Sequence, residues 1–337
     1  MSAKKIRVGV IGVGRLGRYH LQNYMRIPEA ELVGAYDADP HRLEEPAELW
    51  GVRPYAALPE LLADVEAVSI AVPTSSHLEV GLAALEAGVH VLMEKPLAAN
   101  LQEAATLRQA ADRAGCVLHV GHVERFNPAI VALSNTELNP RFIESHRLAP
   151  FDPRGTDVPV ILDLMIHDID LVLSLVQAPV RRIDARGVAV VSEDVDIANA
   201  RLEFGNGCVA NLTASRISQR KMRKLRLFQR DAYVSIDLLL GLTEVFRLEE
   251  GEAPPPGKDA RMVLGQIDKG HRRRAISYER LAAPELNALE MELREFLKAV
   301  RGEPNRGVTA EEATRALEVA LAVEENVRQH QIEEGMA

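Results

Sequence analysis

The sequence predicts an α/β protein in two parts. The first is a parallel sheet covered by helices on both faces, and the second is an α/β domain built on an antiparallel sheet. Three observations carry this. The first 121 residues alternate short apolar strands with helical segments, and those strands are apolar on both sides. Near Gly121 the pattern gives way to β-rich sequence with hairpin signals. A chain of 337 residues holds about two domains at roughly 150 residues each. The predicted domains are 1–121 and 122–337.

Ile6–Ile11 is a β-branched run, followed by helical spacing over Arg15–Met25. Glu31–Asp37 is a short apolar strand ending in an acid. Ala67–Val72, Val89–Met93 and Cys116–Gly121 complete the strands of the first domain. Ser76–Ala87 and Asn100–Ala114 are the helices between them, with Asn100 as a cap and Gly88 and Gly115 as stops. Beyond Gly121, Asn127 caps a short helix that has Pro128 at its first position. Ile161–Leu175 reads as a helix. Ile197–Phe204 and Cys208–Ser215 flank the hairpin turn Gly205-Asn206-Gly207, and Lys224–Gln229 and Tyr233–Leu239 follow. Pro254-Pro255-Pro256-Gly257 is a loop. Leu286–Val300 and Ala310–Gln329 are terminal helices, the last capped by Thr309 and able to fold back on the first domain.

Composition excludes several classes. Apolar residues make up 47% and charged residues 26%, so the chain can build a core. A net charge of −9 argues against nucleic acid or an anionic membrane as partner. The two cysteines, Cys116 and Cys208, stand apart from any Cys/His cluster, so neither a disulfide scaffold nor a bound metal is expected. No apolar run approaches the ~18 residues of a spanning helix, and the first residues carry no signal-peptide pattern. A cytoplasmic protein is the expectation.

Gly12-Val13-Gly14-Arg15-Leu16-Gly17 follows a strand and opens a helix. Such a glycine loop also occurs as a plain turn. Here Asp37 stands 20 residues past Gly17, at the end of the next strand, where an acid accepts from the adenosine ribose of a dinucleotide. Gly12 allows the tight turn, Gly14 lets a pyrophosphate approach, and Gly17 lets the helix pack. The N–H groups from Arg15 and Leu16 onward face the phosphates. An acid at 37 repels a 2′-phosphate, so NAD is preferred to NADP, with Arg42 opposing that reading and Asp39 supporting it. Glu94-Lys95-Pro96 ends a later strand at its carboxyl end, the ligand side of such sheets. Lysine there is equally a surface charge. The proline raises its interest, because a Lys-Pro bond can be cis and fix the lysine's direction.

Gly12–Gly17, Val72-Pro73-Thr74 with His77, Glu94-Lys95-Pro96 and Asp163-Leu-Met-Ile-His167 together resemble the Gfo/Idh/MocA family over nearly the whole chain. The resemblance implies a Rossmann domain, then an α/β domain with an open, mainly antiparallel sheet. It also implies NAD(P)-dependent chemistry on a sugar or polyol hydroxyl, with Pro73, Thr74, His77 and Glu94 near the cofactor. One stretch departs from the broad family: Asp157-Val158-Pro159-Val160-Ile161-Leu162 replaces the usual glycine-rich run. With Gly121–Pro128 and Asp163–Asp170, it resembles a bacterial subgroup of UDP-N-acetylglucosamine 3-dehydrogenases, whose keto product feeds lipid A biosynthesis. Inositol or simple-sugar dehydrogenases and NAD-dependent glycosidases of the same family are alternatives. A non-catalytic dinucleotide sensor is another, though it has no need of a proton relay.

Asp163 and His167 are four apart on a helix and share a face. A lone histidine there would be core. Together with Lys95, in the context of this resemblance, it reads as catalytic. Oxidising a secondary alcohol needs a base for the proton. His167 is the favoured base, Lys95 the positioning and electrostatic partner, and Asp163 the group that orients His167 or bonds a sugar hydroxyl. The choice between His167 and Lys95 as base stays open. Arg125 and Asn127 are either substrate contacts or a salt bridge and a helix cap, and His122 is a weaker candidate of the same kind. The basic stretch Arg216–Arg230 holds seven Lys/Arg and no acid. It reads as a solvated or intersubunit face, or as a grip on an anionic substrate group. Lys269–Arg274 reads similarly. The strands at 197–239 carry more apolar residues than one helix layer covers, which predicts a homodimer or homotetramer through the sheet.

Overall fold

The computed structural model describes residues 4–152, 158–250, 261–269 and 272–333. The prolines at 254–256 with Gly257, and Asp157, lie outside the described residues, as do Gly270 and His271 of the second basic stretch. The chain divides into two compact units, 1–123 with 286–318, and 124–285 with 319–337. The first domain boundary therefore falls at 123/124. The segment 286–318, assigned by sequence to the second domain, belongs to the first unit.

The first unit is built on β1 (Ile6–Ile11), β2 (Ala30–Tyr36), β3 (Ala67–Ile70), β4 (His90–Glu94) and β5 (Leu118–Gly121). All are parallel, in the order β2-β1-β3-β4-β5. A single parallel bridge from Ala35 to Pro54 stands outside β2. Proline has no N–H to extend a ladder, so what would be an outer strand stops at one pair. The helices are α1 (Arg15–Tyr24), α2 (His41–Trp50), α3 (Leu58–Asp64), α4 (His77–Glu86) and α5 (Leu101–Ala114). Asn100 caps α5 by accepting from Glu103 N at 3.0 Å, and Gly88 and Gly115 take the left-handed conformation. Sequence reading missed α2, which carries Pro46 inside it, and the seven-residue α3.

In the second unit, α6 (Pro128–Val131) leads to β6 (Phe142–Leu148). A π-type turn, Ile161–Met165, runs into α7 (Ile166–Val176). β7 (Val180–Val188), β8 (Ile197–Phe204), β9 (Val209–Ser215), β10 (Met222–Phe228), β11 (Ala232–Asp237), β12 (Leu242–Glu250), β13 (Arg261–Lys269) and β14 (Arg272–Leu281) follow. They form one nine-stranded sheet, β13-β14-β12-β11-β10-β6-β9-β8-β7. It is antiparallel except for the parallel pair β6 and β9. Alternate residues such as Ile143, Leu212, Leu225, Val234 and Val245 are buried on one face, with α7 packed on β6 and β9, and α6 on β11 and β12.

The remaining helices are α8 (Ala288–Val300) and α9 (Ala310–Glu333). Leu293, Phe296 and Leu297 of α8 share a core with Val8 and Val10 of β1 and with Leu21 and Tyr24 of α1, which ties α8 to the first unit. Thr309 caps α9 in a capping box with Glu312.

Candidate active site

In the first unit the candidate residues gather at the carboxyl ends of the parallel strands. Gly12 has φ +86°, and a Cβ on Gly17 would stand 1.8 Å from the Gly12 carbonyl oxygen, so only glycines allow this turn against α1. A Cβ at Gly14 would meet nothing closer than the Arg42 guanidinium at 3.7 Å, which leaves that side of the loop open to a ligand. No side chain caps α1, and its first turn holds no acid. These features fit a dinucleotide pyrophosphate at the helix N-terminus. Arg15 and Leu16 of that first turn are exposed. Asp37 is fixed beside the loop. Its Oδ2 accepts from Val13 N at 2.6 Å and its Oδ1 from Asp39 N at 2.9 Å.

Pro73 is exposed at the start of a 3₁₀ turn, Thr74–Ser76, that follows β3. His77 is buried, with Nδ1 2.9 Å from the Pro96 carbonyl oxygen and Nε2 3.1 Å from that of Val72. Burial holds its pKa below the usual histidine value. Both ring nitrogens thus face backbone carbonyls, and a neutral ring, with one N–H, donates to one of the two. Glu94 and half-buried Lys95 close β4, and the Lys95–Pro96 bond is cis, as the Lys-Pro sequence had allowed.

In the second unit Asp163 and His167 straddle the change from π-type to α-helical winding, a feature frequent at functional sites. Both are half-buried, while Met165, Ile166, Asp168, Ile169 and Asp170 around them are buried. Arg147 of β6 binds Asp168 Oδ1 through Nε at 3.0 Å and Nη2 at 2.7 Å, and Glu124 Oε1 through Nη1 at 2.8 Å. Burial opposes the charge on Arg147, but its two carboxylate partners outweigh it and raise its pKa. Burial likewise opposes the charge on Glu124, and Arg147, Arg223 and Asn127 hold its pKa low. Arg125 forms a bidentate pair with Asp170, at 2.8 and 2.7 Å. The helix bearing His167 is thereby clamped at two buried acids.

This clamp and the cap of α6 supply the scaffold half of the two readings of Arg125 and Asn127. Arg125 makes a salt bridge within the second unit. Asn127 caps α6 through Ala129 N at 3.1 Å and donates to Glu124 and the Leu238 carbonyl, both at 3.0 Å. Both hold scaffold bonds. Arg147 escaped sequence reading because nothing local marks a lone arginine on a strand. In the basic stretch, Arg223 pairs with Glu124, Lys224 with Asp237, and Arg226 with Glu144, while Arg216 lies beside Asp196 and donates to the Val158 carbonyl. Among the described residues no cluster of three or more His, Cys, Asp or Glu could hold a metal, and no helix is long and apolar enough to cross a membrane.

Residues 6–122 match the Gfo/Idh/MocA oxidoreductase family, NAD-binding Rossmann fold, and residues 141–233 match that family's C-terminal domain. UDP-N-acetylglucosamine 3-dehydrogenase from Acidithiobacillus ferrooxidans is 38% identical over 330 residues, covering 95% of this chain and 97% of that protein. The chain belongs to the Gfo/Idh/MocA oxidoreductase family. A solved structure of the Acidithiobacillus enzyme superposes with a TM-score of 0.86 at 37% identity, over 96% of this chain and 97% of that one. A second relative, the myo-inositol 2-dehydrogenase of Thermotoga maritima, is 27% identical over 96% of this chain and 97% of its own. As a Gfo/Idh/MocA oxidoreductase the chain is an enzyme with an NAD-binding Rossmann fold and an α/β architecture whose second sheet is mixed and mostly antiparallel.

Proposed function

We propose that this enzyme oxidises the 3-hydroxyl of a UDP-N-acetyl-hexosamine to a 3-keto sugar nucleotide. The observation that carries this reading is the similarity to the Acidithiobacillus dehydrogenase across nearly the full length of both chains, second domain included. NAD, when bound, accepts the hydride. The chain's own residues do the rest. Gly12–Gly17 and Asp37 hold the dinucleotide. His167 takes the hydroxyl proton, oriented by Asp163, and Lys95 holds the oxygen and stabilises charge on it. Arg147 and Arg125 keep the His167 helix in place. The keto product suits a following transamination to a 3-amino sugar, as lipid A biosynthesis with diamino sugars requires. The cytoplasm, which supplies NAD and nucleotide sugars, is the compartment we assign.

The test is NADH formation with UDP-N-acetylglucosamine, UDP-N-acetylgalactosamine, myo-inositol and glucose-6-phosphate, beside a thermal-shift panel with NAD present. Turnover with UDP-sugars alone supports the proposal. Turnover with myo-inositol alone selects the second relative's reaction. A shift with NAD and no turnover selects a sensor. Lys95→Ala and His167→Ala are each expected to lower kcat by roughly 10²–10⁴ with NAD affinity nearly intact. A His167→Ala enzyme with near-normal turnover returns His167 to the core.

A homo-oligomer through the second sheet belongs to the same proposal. Phe142, Phe228, Tyr233, Phe246 and Tyr278 stand opposite one another in register on five consecutive strands. Their ring centroids are 5.8, 4.9, 5.5 and 5.1 Å apart. All five are half-buried, on the face opposite the buried alternation. Such a row supports a second copy of this chain as its cover.

A further inference from the structure

We propose that His20 and Glu94 are a positioning pair for Lys95, with His20 acting through the Glu94 carboxylate. The inference rests on the reading of Lys95 as a group that works on the substrate hydroxyl. Glu94 is the last residue of β4 and its side chain is 12% exposed. Its Oε1 lies 2.9 Å from His20 Nε2, and its Oε2 accepts the backbone N–H of Lys95 at 3.3 Å. On the β5 side, the carboxylate carbon and both oxygens lie 3.2 Å from where a Cβ on Gly121 would stand. Glycine there leaves the room the carboxylate occupies. Three elements thus seat one largely enclosed acid: α1 through His20, β5 through the missing side chain of Gly121, and the Lys95 peptide itself.

The chemistry of the pair is asymmetric. His20 is 1% exposed and its Nδ1 has no hydrogen-bond partner among the described residues. The tautomer with its proton on Nε2 donates to Glu94 and leaves Nδ1 a bare acceptor. The other tautomer would strand a buried donor and turn a lone pair toward a carboxylate. Burial opposes the charge on Glu94. The hydrogen bond from His20, the nearby Lys95 charge and the Lys95 N–H outweigh it and keep the pKa of Glu94 below the usual glutamate value. A brace between α1 and β4 would need only the His20 bond. The second oxygen on Lys95 N–H couples that brace to the peptide from which the lysine side chain springs. On the far side of Lys95, the His77 ring lies against the Pro96 carbonyl, Nδ1 2.9 Å from its oxygen. The backbone is therefore held before the lysine by Glu94 and flanked after it by the buried His77 ring.

The test uses His20→Leu and His20→Gln in the full chain, with Lys95→Ala as reference, NAD and UDP-N-acetylglucosamine as substrates, and a separate NAD titration. The amide nitrogen of glutamine reaches where the imidazole Nε2 stands, whereas leucine only fills the space. A reacting group misplaced by ~1 Å costs ~10²-fold, so His20→Leu is expected to lower kcat roughly 10- to 100-fold, with sugar KM and NAD Kd changed by no more than about threefold. His20→Gln is expected to recover most of that loss. Gly121→Ala, which pushes on the same carboxylate from β5, lowers kcat in the same way and stands in if His20→Leu does not fold. The proposal is overturned if His20→Leu turns over like the wild type, or if His20→Gln is as slow as His20→Leu at equal Tm, which would leave packing as the role. If Lys95→Ala retains turnover, the reading of Lys95 falls and this proposal falls with it. If Lys95→Ala fails while His20→Leu does not, only the pair is refuted.

Discussion

We propose Asp37 as the residue on which cofactor choice turns. Its two oxygens already hold Val13 N and Asp39 N, so the carboxylate cannot swing away from the glycine loop, and each oxygen keeps a further lone pair for a ribose hydroxyl. A 2′-phosphate brought to the same place meets a fixed negative charge. We expect Asp37→Ala to lower kcat/KM for NAD about tenfold and to narrow the preference over NADP, a change of ~1.4 kcal/mol. A wild-type enzyme faster with NADP than with NAD at equal concentration would refute this. The glycine turn and the placing of Asp37 beside it were legible because both are local, a loop and a strand end within 26 residues of one another. Arg125 and Asn127 were not. Their partners Asp170 and Leu238 are 45 and 111 residues away, so no spacing rule could tell a salt bridge and a cap from a substrate contact. The carbonyl that the His77 ring faces was hidden for the same reason, since Pro96 lies on the loop after the next strand.

At the scale of elements, the segments with caps and turn residues were legible: α5 with Asn100 and Gly115, α9 with Thr309, and the β8–β9 hairpin with its Gly-Asn-Gly turn. β7 was not, because as an edge strand it has no clean alternation, with Arg181, Arg182, Asp184 and Arg186 all exposed. The connection from β7 to β8 is set by one buried acid. Asp196 Oδ2 accepts from the N–H groups of Val190, Val191 and Ser192 at 2.8, 2.7 and 3.0 Å, and its Oδ1 from the Ser192 hydroxyl at 2.7 Å. Burial works against its charge, but these donors outweigh it and bring its pKa from 3.8 down to about 2. A depressed carboxylate stabilises the fold fully above its unfolded pKa, and that stabilisation drains away as pH falls from 3.8 to about 2. Asp196→Asn keeps one oxygen for the three backbone N–H groups but loses the charge and puts an amide N–H₂ where Oδ1 accepts from the Ser192 hydroxyl, and is expected to cost about 1–3 kcal/mol at neutral pH. The gap to wild type in urea melts should shrink toward the acid end. A gap that is equal at both ends would show that the charge of Asp196 is not what holds this turn.

At the scale of the whole molecule, the sequence order misled about α8, which follows the second sheet in the chain yet completes the core of the first unit with Leu293, Phe296 and Leu297. Helical period marks an apolar face but not which sheet it will meet. The second sheet poses the opposite problem, a face for whose apolar residues we propose a second copy of this chain as partner. The aromatic row continues at both ends, to Val209 opposite Phe142 and to Met262, 60% exposed, opposite Tyr278. It therefore crosses seven of the nine strands, roughly 30 Å at about 4.8 Å per strand. With strands of about seven residues, a nine-stranded face offers an area on the order of 800 Å², what each partner contributes to a stable interface. Two such rows meeting across a two-fold axis would give an isologous contact, each ring facing its own kind or its neighbour. Tyr233, near the middle of the row, is where a charge would do most harm, because it would be buried there without a partner. Light scattering at micromolar concentration is expected to report a dimer or tetramer for the wild type and a smaller species for Tyr233→Glu, with the far-ultraviolet spectrum unchanged. A wild-type monomer would leave the row as a stacked stripe that stabilises one sheet and joins nothing. So would a Tyr233→Glu chain that assembles as before.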